Sequence, residues 1–224
     1  MDRYLITHSL LSSWLYAIKE NPYEDATTER DPMEEFMLAL RKEPTPITMK
    51  KQNGIDFENL VTAILSNQSS VLWHKYHKKT EELLGSFNTP VQEHIWYEAA
   101  AKIARHVQGG IAQCKARKEI SVSGTVLLLY GRLDWLKAGE IIDVKFSSKY
   151  EHGKYISGTQ HPTYLELVTE ARKFTYLVSN GSEVWSETYQ REEVPSIFPV
   201  ISDFLSWLTV MGLLDLYKEK WLAA

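Results

Sequence analysis

Apolar residues recur at helical spacing through most of the first half of the chain. Leu10, Leu11, Trp14, Leu15 and Ile18 form one such stripe, with Thr7 or Ser9 as cap and Asn21-Pro22 as stop. Asp31-Pro32 is an N-cap and first-turn pair, and Glu34 and Glu35 follow where the helix dipole favours acid, which predicts a helix over about 32–42. Pro44 and Pro46 break the chain. Beyond Gly54, Phe57, Leu60, Val61, Ile64 and Leu65 draw a third stripe with Glu58 beside it. Further helices are predicted over about 71–84 and from Pro90 to about Gln108, with Gly109-Gly110 interrupting before Ile111 to Arg117.

The period then changes. From Ile120 to Ser147 the chain is rich in β-branched and aromatic residues, with Gly124, Gly131 and Lys137-Ala138-Gly139-Glu140 as turn or bulge points, which predicts about three meandering strands. A short helix follows around Gln160 to Arg172. Phe174–Val178 and Glu183–Tyr189 flank Asn180-Gly181, which predicts a hairpin with a type I′ turn. A long helix closes the chain after Pro195. The expectation is an α/β (α+β) chain of one domain. Residues 1–118 are its mainly helical part, 119–192 a central mixed β-sheet flanked by helices, and 195–224 the terminal helix.

Composition narrows the partners. The chain has 224 residues, 44% of them hydrophobic, enough for a core of its own. A net charge of −4 argues against coating nucleic acid by bulk charge. The single cysteine, Cys114, excludes an internal disulfide, a four-cysteine zinc site and an iron–sulfur cluster held by the chain's own thiolates, and favours a reducing cytoplasm. Cys114 itself reads as a small buried hydrophobe on a helix. No secretory signal opens the sequence. The long apolar run Ile197 to Leu216 carries Pro199, Asp203, Ser206 and Asp215; one central Asp costs about 2.5–3.5 kcal/mol on insertion, so no membrane partner is expected.

Candidate chemistry gathers in a few short motifs. Asp143 and Lys145 alternate on one strand and share a face, and a turn through Ala138-Gly139 lays Asp134 on its neighbour. Two carboxylates beside an ammonium suit a hard divalent cation. Asp-x-Lys is common on solvated strand faces, but Ile141, Ile142, Val144 and Phe146 mark this strand as buried on at least one side. Gln160 and Tyr164, four apart, share a helix face, with Thr159 as cap. Lys149, His152 and Lys154 form a basic cluster directly after this motif. Lys75, Lys78 and Lys79 with His74 and His77 form another.

In order, Gly-x-x-x-Glu on a helix, Gly-x-x-Asp on a strand, Asp-x-Lys on the next strand and Gln-x-x-x-Tyr on the following helix resemble the PD-(D/E)XK nuclease superfamily in its RecB-like branch. The segment Thr7 to Tyr16 is similar to that branch's opening helix, and Leu133 stands in the place of the proline of the family name. The resemblance implies a restriction-endonuclease-like core. It implies that Glu58, Asp134, Asp143 and the Val144 carbonyl bind Mg²⁺ or Mn²⁺, that Lys145 positions and helps activate water, and that Gln160 and Tyr164 support the site and contact nucleic acid; Lys149 and Lys154, by their place directly after the motif, are expected to contact it too. The implied activity is hydrolysis of DNA phosphodiester bonds, as an exonuclease of phage or mobile-element type without an iron–sulfur cluster. Its expected partners are DNA and a recombination or replication protein. A catalytically silent nucleic-acid-binding or assembly module with the same fold is the alternative.

Overall fold

The computed structural model describes residues 2–19, 31–77 and 79–223. The expected helix stop at Asn21-Pro22 and the side chain of Lys78 lie outside them. The chain begins with a strand that the pattern did not announce, β1 (Tyr4–Thr7), and runs directly into α1 (His8–Ile18), where the Thr7 hydroxyl accepts from Leu10 N. The second helix, α2 (Pro32–Arg41), starts as expected: the Asp31 carboxylate accepts from Met33 N and Pro32 opens the first turn. The next helix, α3 (Met49–Leu65), begins earlier than expected, capped by Thr48, and Gly54 lies inside it.

Two expected helices are strands. The segment over 71–84 belongs to a hairpin of β2 (Ser70–Tyr76) and β3 (Leu83–Pro90), whose Val71, Trp73 and Tyr76 favour a pleated surface. After α4 (Tyr97–Val107) comes β4 (Ile111–Val122), not a helix. Cys114 and Ala116 alternate there with Lys115 and Arg117, a period of two. Cys114 is half-buried opposite Leu133.

The expected meander is formed by β4, β5 (Thr125–Lys137) and β6 (Glu140–Phe146). Its turns, Ser123-Gly124 and Ala138-Gly139, each have positive φ at both residues, the type I′ signature. The connection between β7 (Lys173–Ser179) and β8 (Val184–Gln190) differs from expectation. Only Gly181 takes positive φ there, while the Asn180 side chain accepts from the amides of Ser182 and Glu183 and supports a wider loop. Between β6 and β7 lies α5 (Gln160–Leu167). The terminal helix is broken into α6 (Phe198–Val210) and α7 (Leu214–Lys220), bent by 114° around Gly212, whose φ is +68°. No single described helix is long and apolar enough to cross a membrane; α6 and α7 pass that test only together, as a bent pair.

Six strands form one mixed sheet, and its ladder explains where a site can open. A strand has two edges. Along one edge of β5, β4 pairs antiparallel from Ile111↔Leu136 to Val122↔Thr125. The other edge must therefore hold both remaining neighbours. Parallel β1 covers Leu127 to Tyr130, and antiparallel β6 covers Trp135 to Lys137. Gly131 to Asp134 have no ladder partner on that edge. Both β1 and β6 run with their carboxyl ends toward this break, the kind of crevice in which α/β sheets bind ligands. Beyond Ile142, β6 leaves β5 and pairs only with parallel β7.

Three apolar clusters hold the layers. One joins α1, α2, α6 and α7 with β1 and the Leu127–Leu129 part of β5. A second packs α3 and α4 on Ile142, Val144 and Leu177. The third packs α5 on Leu133, Ile141 and Phe174. Trp14 belongs to the first and Trp207 packs against it, the core roles their spacing indicates. Leu133 packs into the third cluster and Trp135 against the second, so β5 rolls at Asp134.

Candidate active site

The break in the β5 edge is a pocket of about 320 Å³, lined by Glu58, Asp134, Asp143, Lys145, Gln160 and Tyr164, together with Thr7, His8, Ser9, Tyr130, Gly131 and Arg132. All six side chains singled out by the sequence motifs are thus brought together, from α3, β5, β6 and α5. Lys149 and Lys154 are not among the lining residues. Lys154 Nζ is turned inward on its own loop, donating to Ser147 Oγ at 2.9 Å and to the Lys149 carbonyl at 3.1 Å.

Asp134 spans the split. Its Oδ2 accepts from the Val144 amide at 3.0 Å, replacing with a side chain the ladder bond that β5 and β6 no longer make. Asp143 is 2% exposed, and Gln160 Nε2 donates to its Oδ1 at 2.5 Å. Lys145 Nζ lies 2.8 Å from Asp143 Oδ2 and forms an ion pair with it. Gln160 is held by the start of α5. Thr159 precedes it, but its hydroxyl caps nothing; it donates to the His8 carbonyl and meets Ser12 Oγ, tying α5 to α1.

Tyr164 rests on Gly131. A Cβ on residue 131 would meet the Tyr164 ring at 2.5 Å, so the motif glycine is a seat in mid-strand and not the turn or bulge expected from it. The close approach lets the Tyr164 hydroxyl donate to the Arg132 carbonyl at 2.9 Å, satisfying backbone that the broken ladder leaves unpaired. His8, which the sequence reading passed over, packs edge-on against Tyr164 at 5.2 Å. Nothing in the sequence marks it, because its place follows from β1, a strand too short to show a period.

Electrostatics inside the pocket are those of crowded acids. Burial, then the nearby Asp143, push the Glu58 carboxyl up to about 7, with Lys145 and Arg132 opposing. Burial also leads at Asp134, followed by Asp143 and Glu58, and pushes it up to about 8 despite the Val144 amide. Burial alone would lower Lys145, but Asp143 outweighs it and holds the ammonium above the usual lysine range. Burial lowers His8 to about 4, leaving a neutral ring. Among the described residues, no three His, Cys, Asp or Glu side chains stand close enough to enclose a metal ion. Convergence of Glu58, Asp134 and Asp143 on one cation is therefore not met as expected. The three share a pocket, but Asp134 is held by Val144 N and Asp143 by Gln160 and Lys145.

The loop after β6 is held by another carboxylate. Glu187 on β8, 2% exposed, accepts from the Tyr150 hydroxyl at 2.6 Å, the Tyr189 hydroxyl, Gly153 N and Tyr155 N. His161, beside Gln160, is buried and stacked on Tyr189 at 4.3 Å.

No family model and no curated protein matches the chain. Among solved structures it is similar to one described as the crystal structure of SSO0001, at 14% identity and a TM-score of 0.48, over 95% of this chain and 78% of that one. That likeness carries no functional argument.

Proposed function

We infer that the protein is a metal-dependent nuclease of the PD-(D/E)XK type, with a restriction-endonuclease-like core, that hydrolyses phosphodiester bonds of DNA. The observation that carries this reading is the meeting of Glu58, Asp134, Asp143, Lys145, Gln160 and Tyr164 in one pocket, although they are scattered over four elements. Three carboxylates in a recess destabilise one another, and an arrangement with that cost fits a site that takes up positive charge. The donor set suits Mg²⁺ or Mn²⁺: hard carboxylate oxygens, of which Asp143 Oδ2 is buried and faces the Lys145 ammonium. Glu58, Asp134 and Asp143, with the Val144 carbonyl, would hold the ion. A bound divalent cation supplies charge stabilisation on the phosphate and a more acidic water.

The chain's own residues have separable tasks in this reading. Lys145, kept protonated by Asp143, donates and does not accept: it orients water or a phosphate oxygen for in-line attack. Gln160 fixes Asp143, and Tyr164 fixes the backbone from which Asp134 projects.

The test is incubation of purified protein with linear, circular, single-stranded and double-stranded DNA in Mg²⁺, Mn²⁺ or EDTA. Cleavage that EDTA abolishes and that Asp134→Ala, Asp143→Ala and Lys145→Ala each reduce by at least about 10²-fold is the expected result. Activity indifferent to all three substitutions would remove the site assignment. A second reading, a silent nucleic-acid-binding or assembly module, is favoured by the absence among described residues of a ready three-ligand set. DNA binding without cleavage under any metal condition would establish it instead.

A further inference from the structure

The pocket has a half that the nuclease motifs do not use. Tyr130, Arg132 and Asp134 occupy alternate positions of β5 and all line it, while Gly131 and Leu133 between them are buried. Arg132 is exposed, and no carboxylate of the described residues lies within ion-pair distance of it. Its charge nevertheless acts on the site, because it opposes the rise of the Glu58 pKa. A guanidinium left unpaired at the mouth of an acidic pocket is suited to a phosphate.

Spacing and charge say which phosphate. Two residues of a strand advance about 6.6 Å, close to the separation of successive phosphates along an extended polynucleotide chain. A polynucleotide strand that runs along β5 with its scissile phosphate at Asp134 would place its neighbouring phosphate at Arg132. Tyr130, one step further, offers an aromatic face to the next nucleoside. The protein's net charge of −4 leaves it poorly suited to the many phosphate contacts by which basic surfaces hold duplex DNA.

We propose that the row Tyr130, Arg132 and Asp134 is a track for one extended, unpaired polynucleotide strand, with Arg132 holding the phosphate next to the one that is cut and Tyr130 lying against the nucleoside beyond it. The proposal rests on the nuclease reading of the same pocket and adds the form of the substrate and two residues that contact it.

Fluorescence anisotropy of a labelled oligothymidylate, with Ca²⁺ in place of Mg²⁺ and salt varied, tests it on the full chain. Arg132→Gln should reduce the slope of log K against log salt by about 0.7, the share of one single-strand phosphate, and Arg132→Lys should keep it. Tyr130→Ala should weaken binding about tenfold and Tyr130→Phe should not. Blunt duplex should bind at least about tenfold more weakly than the single strand. In Mg²⁺, Arg132→Gln should raise KM more than it lowers kcat. An unchanged salt slope in Arg132→Gln, or equal affinity for duplex, overturns the track even if the wild type cuts DNA. A wild type that neither binds nor cuts overturns both readings. A wild type that binds through Arg132 without cutting on any substrate overturns the nuclease reading alone.

Discussion

At the scale of single residues, the pocket sets stability against function. Asp134 and Glu58 have folded-state pKa values near 8 and 7, above those of unfolded carboxylates. Between about pH 4.5 and 8 the folded chain therefore binds more protons than the unfolded one, and stability without metal falls as pH rises. Asp134→Asn and Glu58→Gln remove that penalty. Each should raise the melting temperature at pH 8, by about 2–4 °C per kcal/mol relieved, and change it little at pH 4; calorimetry at the two pH values checks this. By the same linkage, Mn²⁺ affinity measured by titration calorimetry should increase from pH 6 to 8, with protons released on binding. Gly131→Ala places a methyl group against the Tyr164 ring. It should cost about 1–3 kcal/mol in urea denaturation, and less in a Tyr164→Ala background, where only the contact with the end of the Leu167 side chain remains.

At the scale of elements, what was legible in the sequence depended on how much of its neighbourhood an element carries within itself. The helix beginning at Pro32 declared its cap and first turn, and Asp143 and Lys145 were readable as neighbours because a strand alternates. The hairpin of β2 and β3 was not readable, because part of what holds it lies elsewhere. Asp56, 1% exposed on α3, accepts from the His74 amide at Oδ2 at 2.7 Å, and from His74 Nδ1 at 3.0 Å and Gln52 Nε2 at 2.8 Å at Oδ1. Locally, Val71 to Leu84 fits a helical pattern; that anchor and the β3 ladder make it a strand. Asp56→Ala should accordingly release the hairpin, leaving buried donors unpaired at a cost of about 1–3 kcal/mol. Hydrogen exchange should show β2 and β3 losing protection while β5 to β7 keep theirs. The β4 segment was missed for a different reason: its alternating Ala and Cys are too small to register as an apolar face. Of the site, the acids, Lys145, Gln160 and Tyr164 could be found from their motifs. His8, Arg132 and the seat at Gly131 could not, since each takes its role from a neighbour far away in sequence.

At the scale of the whole molecule, the two chain ends close one wall of the pocket. Leu5 N donates to the Trp221 carbonyl at 2.6 Å, Tyr217 donates to the Leu5 carbonyl at 2.9 Å, and Trp221 Nε1 reaches the Leu40 carbonyl at 2.8 Å. Through these bonds α7 clamps β1, and β1 carries His8 and Ser9 into the lining. Tyr217→Ala, far from the acids, should lower stability by about 3–5 kcal/mol, the usual range for a large buried aromatic. It should also weaken DNA binding under conditions where the chain remains folded, a pairing that combined denaturation and anisotropy measurements would reveal.

The arrangement along β5 also bears on how such a pocket endures. β1 and β6 approach each other nose to nose along one edge, so lengthening either makes it collide with the other. Each has to leave the edge of β5, β1 by coiling into α1 and β6 by continuing on β7 alone. The opening between them is thus a consequence of chain direction and owes nothing to an inserted loop. Side chains around it can be exchanged, and with them the chemistry, but no exchange of side chains closes it; that would require a strand to be reversed.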